Sequence, residues 1–169
     1  MAVLPLVLYP DPRLKQSCSQ VSSFDKHLVR LLESMAETMY ASNGIGLAAP
    51  QIGVQERITV VDVSPEGTAL IELINPVITA SHGTTPSEEG CLSIPGFRET
   101  IERATHVSVS YQDRTGNQQT LHAEGLMAIC LQHEIDHING TLFVDHLSRL
   151  KRELFKKWFA KQQNAPSRM

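Results

Sequence analysis

The run from Gly125 to Asn139 constrains this chain more than any other. Leu126, Met127, Ile129, Leu131, Ile135 and Ile138 fall at helical spacing and clothe the resulting helix in apolar side chains on nearly all sides. Gly140 stands just beyond its end, where a helix stop is expected. Such a helix has to be buried, so the fold is built around it. The same helix carries Gln132-His133-Glu134-Ile135-Asp136-His137. Burying His, Glu and Asp without partners is costly, so the segment predicts a site as well as a core. His133 and His137 are four residues apart, one above the other on one face, and can reach one metal ion. Glu134 sits about 100° further round, placed for a water beside the metal rather than for the metal itself. This is the spacing of metal hydrolases. Two incidental histidines on an exposed helix would be the bland alternative, and the apolar surroundings argue against it.

Two histidines need a third ligand. Gly140 follows His137 as in one extended protease motif, but Phe143 stands where that motif has its third histidine. Glu153 lies 16 residues beyond His137, inside a basic segment, and reads as solvated. His146 is a further option but belongs to no motif. Cys91 remains, in Glu88-Glu89-Gly90-Cys91-Leu92-Ser93. Its thiolate is a soft ligand that suits zinc or ferrous iron. Cys130 competes from the same helix, but it is seven residues from His137, roughly 10.5 Å along the axis. It is expected to line the site as a small buried residue without ligating. Cys18 sits in a polar stretch and carries no signal.

The rest of the chain predicts an α+β fold, with antiparallel β-sheets around the central buried helix and a C-terminal helix. Leu28, Leu32, Met35 and Met39 predict a helix over 25–42, capped by Ser22 or Ser23 and stopped by Asn43-Gly44. Strands are expected at Arg57–Val63 and Ala69–Ile74, the second ended by Asn75-Pro76. Val107–Tyr111 and Gln118–Ala123 read as a hairpin turned by Asp113–Asn117. A last helix is expected over about 147–162. There is no internal repeat and no low-complexity linker, so 169 residues, 41% of them apolar, read as one domain, 1–169. No apolar run approaches the roughly 20 residues that span a bilayer. The apolar start has no basic region before it and meets Pro10 and Pro12, which reads against a signal peptide. Three widely spaced cysteines imply no disulfide framework, and a reducing, cytoplasmic setting is expected.

A third segment, Gly44-Ile45-Gly46-Leu47-Ala48-Ala49-Pro50-Gln51-Ile52-Gly53, is glycine-rich but lacks phosphate-loop spacing. Gln51 is a neutral donor that can bind a carbonyl oxygen or tie a loop. Taken in order, Gly44 to Gln51, Glu89 to Ser93, and Gln132 to Asp136 with His137 resemble the peptide deformylase family. The resemblance runs over about residues 1–160. A metal endopeptidase of another family, which would cut unformylated peptides internally, gives the first two segments no role. A non-catalytic, metal-stabilised RNA-binding module has no need of Glu134.

The resemblance implies removal of the formyl group from the N-terminal formyl-methionine of newly made proteins. Carried over by position, Cys91, His133 and His137 bind the metal and Glu134 is the acid/base. Gln51, through its side-chain amide, and Leu92, through its backbone N–H, hold the formyl oxygen. Backbone around Ile45, Gly46 and Gly90 would bind the peptide in extended form, with Glu89 counted among the substrate-binding residues. Ile45, Leu126, Ile129 and Cys130 would shape the methionine pocket, while Ser87 stands where some relatives have an apolar residue. The implied cofactor is one divalent metal, ferrous iron (Fe2+), with Zn2+, Ni2+ or Co2+ able to occupy the site. Ligand softness alone points to zinc.

The net charge of −3 names no partner until it is divided. Through residue 147 the chain holds 8 Lys/Arg and 17 Asp/Glu, and beyond it 7 Lys/Arg and one Glu. In the last helix, Leu147, Leu150, Leu154 and Trp158 predict an apolar stripe, with Arg149, Lys151, Arg152, Lys156, Lys157 and Lys161 over the rest. An ordinary solvated face explains this, as does docking on an anionic surface. A membrane surface fits such a helix, but the implied substrate emerges from the ribosome, and the family associates this helix with ribosome binding. The expected partners are N-formylmethionyl nascent peptides and the ribosome, with no membrane and a monomeric chain.

Overall fold

The apolar run is a helix, and it stands where a core helix should. In the computed structural model, which describes residues 2–164, it spans Gly125–Ile138. In chain order the elements are α1 (Lys26–Ala41), β1 (Gly46–Ala48), β2 (Ile58–Val61), β3 (Ile71–His82), β4 (Thr85–Cys91), β5 (Ile94–Arg103), β6 (His106–Gln112), β7 (Gln118–Glu124), α2 (Gly125–Ile138) and α3 (Arg149–Asn164). Among the described residues the strands form a five-stranded sheet, β1-β2-β3-β6-β7, and a two-stranded sheet, β4-β5. All neighbouring strands are antiparallel, as expected for this α+β fold. Ala128, Cys130, Leu131 and Ile135 of α2 pack on Val61, Leu73, Val107 and Val109 of the larger sheet.

α1 covers the β1–β2 end of the sheet. Leu28, Leu32, Met35 and Met39 are buried against Leu47, Ile58, Val60 and Ile74. Its cap is Asp25, not Ser22 or Ser23: the Asp25 carboxylate accepts from Leu28 N–H at 3.1 Å. A carboxylate there also meets the positive end of the helix dipole. Asn43, at φ 57°, supplies the left-handed stop.

Other expectations change as well. Asn75-Pro76 does not end β3, which runs on to His82 past a register shift between Ile74 and Val77. Asn75 takes φ 53° there, and its side chain binds the Val21 N–H and carbonyl and Gln112 Oε1. Pro76 lacks an N–H, and a bulge is where a sheet accommodates that. β4 pairs with β5 as a hairpin although its sequence, Thr85 to Cys91, has no apolar alternation. The last helix begins at Arg149, because Leu147 is extended and buried ahead of it. Leu150 and Leu154 are 71% and 55% exposed, so they form no buried stripe. Phe155 is the buried anchor instead, with Trp158 and Phe159 packed beside it against Tyr9, Phe97 and Phe143.

The N-terminal segment ties two parts of the site together. Val7 N–H donates to Gln51 O at 2.7 Å, and Tyr9 N–H donates to Ser93 O at 2.8 Å. Among the described residues no helix is long and apolar enough to cross a membrane.

Candidate metal centre and active site

α2 turns its histidines toward the tip of the β4–β5 hairpin. There β4 ends at Cys91, and Leu92-Ser93 form the turn to Ile94. The pairing shifts register between Gly90, opposite Arg98, and Cys91, opposite Ile94, so that Pro95, Gly96 and Phe97 bulge out on the β5 side. Cys91 Sγ lies 3.3 Å from His137 Nε2. The ligand atoms of Cys91, His133 and His137 fall within 4.8 Å of one another, the one such group of three among the described residues. Cys130 is outside it: its Sγ is 3.6 Å from Ile45 O, and burial pushes its thiol well above the ordinary range.

Behind the ligands the charges are paired. His133 Nδ1 lies 3.0 Å from Glu89 Oε1, which leaves Nε2 for a ligand. Arg103 donates to both Glu89 oxygens at 2.8 Å and to Asp136 Oδ2 at 2.7 Å. His146 Nε2 is 2.8 Å from the same Asp136 oxygen. Glu89 borders the cavity, but its carboxylate is taken up by Arg103 and His133 rather than left for a substrate. Such a contact fixes the tautomer and orientation of a ligating imidazole. Burial alone would raise the Glu89 carboxyl, but Arg103 and His133 outweigh it and hold it at about 2. Burial also opposes charge on His133, yet Cys91, Glu89 and Glu134 outweigh it and lift His133 to about 10. Glu89, held ionised by Arg103, therefore favours positive charge at His133, which a proton or a divalent cation supplies.

Glu134 is 5% exposed, and its Oε1 has no hydrogen-bond partner among the described residues. Burial pushes its carboxyl up to about 7. His137, 1% exposed, likewise keeps Nδ1 unpartnered, and burial pushes it well below its ordinary value. A neutral imidazole is what a metal requires. An unpaired carboxylate oxygen beside a Cys/His/His set fits a divalent ion with a water at an open position. Gly46 admits Glu134 to this place: a Cβ on Gly46 would stand 2.5 Å from Glu134 Oε2 and 2.8 Å from Cys130 Sγ.

Gln51 is 2% exposed, in the 3₁₀ turn Ala49–Ile52. Its Oε1 accepts from Ala48 N–H at 3.0 Å. Nε2 is thereby turned inward, 3.1 Å from Ser93 Oγ and 3.6 Å from Cys91 Sγ. A cavity of about 540 Å³ opens over these groups. It is lined by every site residue singled out in the sequence except His137, which lies behind, Ile129, which is half-buried on α2, and Ser87, which is buried on β4.

Three contributors are not legible in the sequence: Arg103, which pairs with Glu89 and Asp136; Ser93, which meets Gln51; and the β5 wall of Pro95, Gly96 and Phe97. The signal for Arg103 is its place two residues after Ile101, on the inward face of a strand where a lone cation needs an acid. It is readable only once β4 and β5 are seen as a hairpin.

Residues 3–153 match the sequence model of the polypeptide deformylase family. A peptide deformylase of Thermodesulfovibrio yellowstonii is 51% identical over 161 residues, 94% of this chain and 98% of that protein. One from Agrobacterium fabrum is 48% identical over 168 residues, 98% of this chain and 99% of that protein. The crystal structure of a peptide deformylase from Legionella pneumophila matches with a TM-score of 0.89 at 45% identity, covering 98% of this chain and 100% of that one. With three separated segments gathered around one cavity, and relatives matched over almost its whole length, this chain belongs to the polypeptide deformylase family.

Proposed function

We propose that Cys91, His133 and His137 hold one divalent ion, ferrous iron in the cell, and that Glu134 is the acid–base group with which the chain removes the formyl group from N-formylmethionyl peptides. The observation that carries this reading is the buried, unpartnered Glu134 Oε1 beside the Cys/His/His group. The ion, when bound, supplies Lewis acidity that brings a water molecule's pKa toward neutrality and polarises a carbonyl. Glu134 takes a proton from the attacking water and passes it to the leaving amine. Burial raises the Glu134 carboxyl above the ordinary carboxylate range, the direction that suits a group which both takes and returns a proton. Gln51 Nε2, aimed by Ala48 and Ser93, and the Leu92 N–H meet the charge that grows on the formyl oxygen. Ile45, Leu126 and Cys130 give the cavity an apolar side for methionine, and the backbone around Ile45, Gly46 and Gly90 borders it where an extended peptide would lie. The donor set suits iron, zinc, nickel or cobalt, and the choice of iron rests on the family resemblance.

Residues 1–169 are read as one catalytic domain, monomeric and cytoplasmic, with α3 as its ribosome-facing handle. Lys156 and Lys157 are exposed on that helix. Reversing both charges is expected to lower salt-sensitive ribosome affinity and leave turnover of a free peptide unchanged; unaltered affinity would refute the handle.

The main test uses protein purified without oxygen, loaded in turn with Fe2+, Zn2+, Ni2+ and Co2+. It is offered a formyl-methionyl peptide and its unformylated twin. Formate release from the first and no cleavage of the second is the expected result. Internal cleavage of either peptide would favour an endopeptidase, and no turnover with any of the four ions would overturn the assignment of the site.

A further inference from the structure

β3, β6 and β7 carry a cluster of histidine and carboxylate side chains on the face of the sheet turned away from α2; as placed, its ligand atoms do not converge as those of Cys91, His133 and His137 do. Val107, Val109, Leu121 and Ala123 pack toward α2. Strand alternation therefore projects His106, Ser108, His122 and Glu124 from the other face. The register sets His82 opposite His106, and His106 opposite Glu124, in one row across three strands. The rings of His82 and His106 stack with centroids 4.3 Å apart and planes 10° from parallel. His106 Nε2 is 3.1 Å from Glu124 Oε2. In the next row His122 Nδ1 is 2.8 Å from Ser108 Oγ. These side chains line a cavity of about 310 Å³, and none of them borders the deformylating site.

We propose that His82, His106 and Glu124 form a second site for a divalent transition metal, with zinc the best fit. Side chains directly opposed on neighbouring strands start from Cβ atoms about 4.5–5.5 Å apart, so three abreast can converge on one ion. Zinc takes imidazole nitrogen and carboxylate oxygen at about 2.0–2.2 Å, which puts two ligands on a tetrahedral ion roughly 3.3 Å apart. The 3.1 Å between His106 Nε2 and Glu124 Oε2 is close to that separation. The third ligand requires the His82 ring to turn out of its stack, a side-chain rotation open to an exposed residue. His106 Nδ1 lies 2.9 Å from Thr105 Oγ1, the kind of outer contact that holds a ligating imidazole with Nε2 toward the metal. Two imidazoles and a carboxylate select a borderline ion over magnesium or calcium. A fourth position remains for water or for His122. The bound ion clips three strands together immediately before Gly125, where α2 begins.

The test uses protein whose Cys91 centre carries nickel, so that zinc is counted separately. After dialysis against a several-fold excess of zinc, the wild type is expected to hold one zinc equivalent more than the His82→Ala/His106→Ala variant. Zinc is also expected to raise the Tm of the wild type only, with affinity in the variant weaker by at least about tenfold. His106→Gln keeps a polar cross-strand side chain; it should lose the extra zinc while its Tm without added zinc and its kcat stay at wild-type values. Equal zinc content in wild type and variants, or no zinc beyond the Cys91 centre in the wild type, would overturn the proposal.

Discussion

α2 and α3 are of similar length, 14 and 16 residues, and both are rich in ionisable side chains, but they treat them in opposite ways. α2 keeps His133, Glu134 and His137 inside; partners for His133 and for Asp136 come from other elements, while Glu134 Oε1 and His137 Nδ1 stay unpartnered at the site. Glu89 and Arg103 come from the β4–β5 hairpin, and His146 from the segment beyond the helix. α3 keeps Lys156, Lys157 and Lys161 in solvent and is anchored by one buried aromatic side chain, Phe155, with its neighbours, while Lys151 pairs with Glu99 and Arg152 donates to the Asp145 and Leu147 carbonyls. The difference teaches what a charged residue means in each place. Buried charge has to be answered by geometry, so it organises a site. Solvated charge asks nothing of the fold and is available to a partner.

The contrast can be broken at its strongest point. Arg103→Met removes the cation between Glu89 and Asp136, and leaving buried charge uncompensated costs about 3–5 kcal/mol. Urea unfolding measures it, and a loss below about 1 kcal/mol would mean that the α2 charges need no answer. Phe155→Ala, which empties the aromatic anchor of α3, is expected to cost about 3 kcal/mol by the same measurement. Gly46→Ala forces Glu134 aside while leaving the charge network intact. We expect kcat/KM to fall ten- to a hundredfold, about 1.4–2.7 kcal/mol, in a formate-release assay. An unchanged value would show that Gly46 does not set the Glu134 position. Leu150→Ser and Leu154→Ser should each alter stability by no more than about 0.5 kcal/mol. A larger loss would restore the leucine stripe that periodicity suggests.

That stripe shows where reading the sequence stops. Helical spacing picks out Leu147, Leu150, Leu154 and Trp158, but which face is buried depends on Tyr9 and Phe97, which are remote in the chain. The helix α2 was legible because its signals are local: apolar surroundings, and two histidines four residues apart. The hairpin β6–β7 was legible for the same reason. The hairpin β4–β5 was not, because Thr85-Pro86-Ser87-Glu88-Glu89-Gly90 has no apolar alternation. Its inward Glu89 is stabilised by Arg103, 14 residues away. Asn75-Pro76 looked like a strand end because proline cannot donate, yet side-chain bonds from Asn75 carry β3 through the bulge. Within the site, the ligand spacing and Glu134 could be read locally, and the residues that hold them in place could not.

The central claim is that Glu134 moves the proton while Cys91, His133 and His137 hold the ion. Glu134→Gln tests it directly when formate release and metal content are measured on the same preparation. The account predicts that kcat falls about 10²–10⁴-fold with one equivalent of metal retained. A variant that keeps its metal and turns over within a few-fold of the wild type would contradict it.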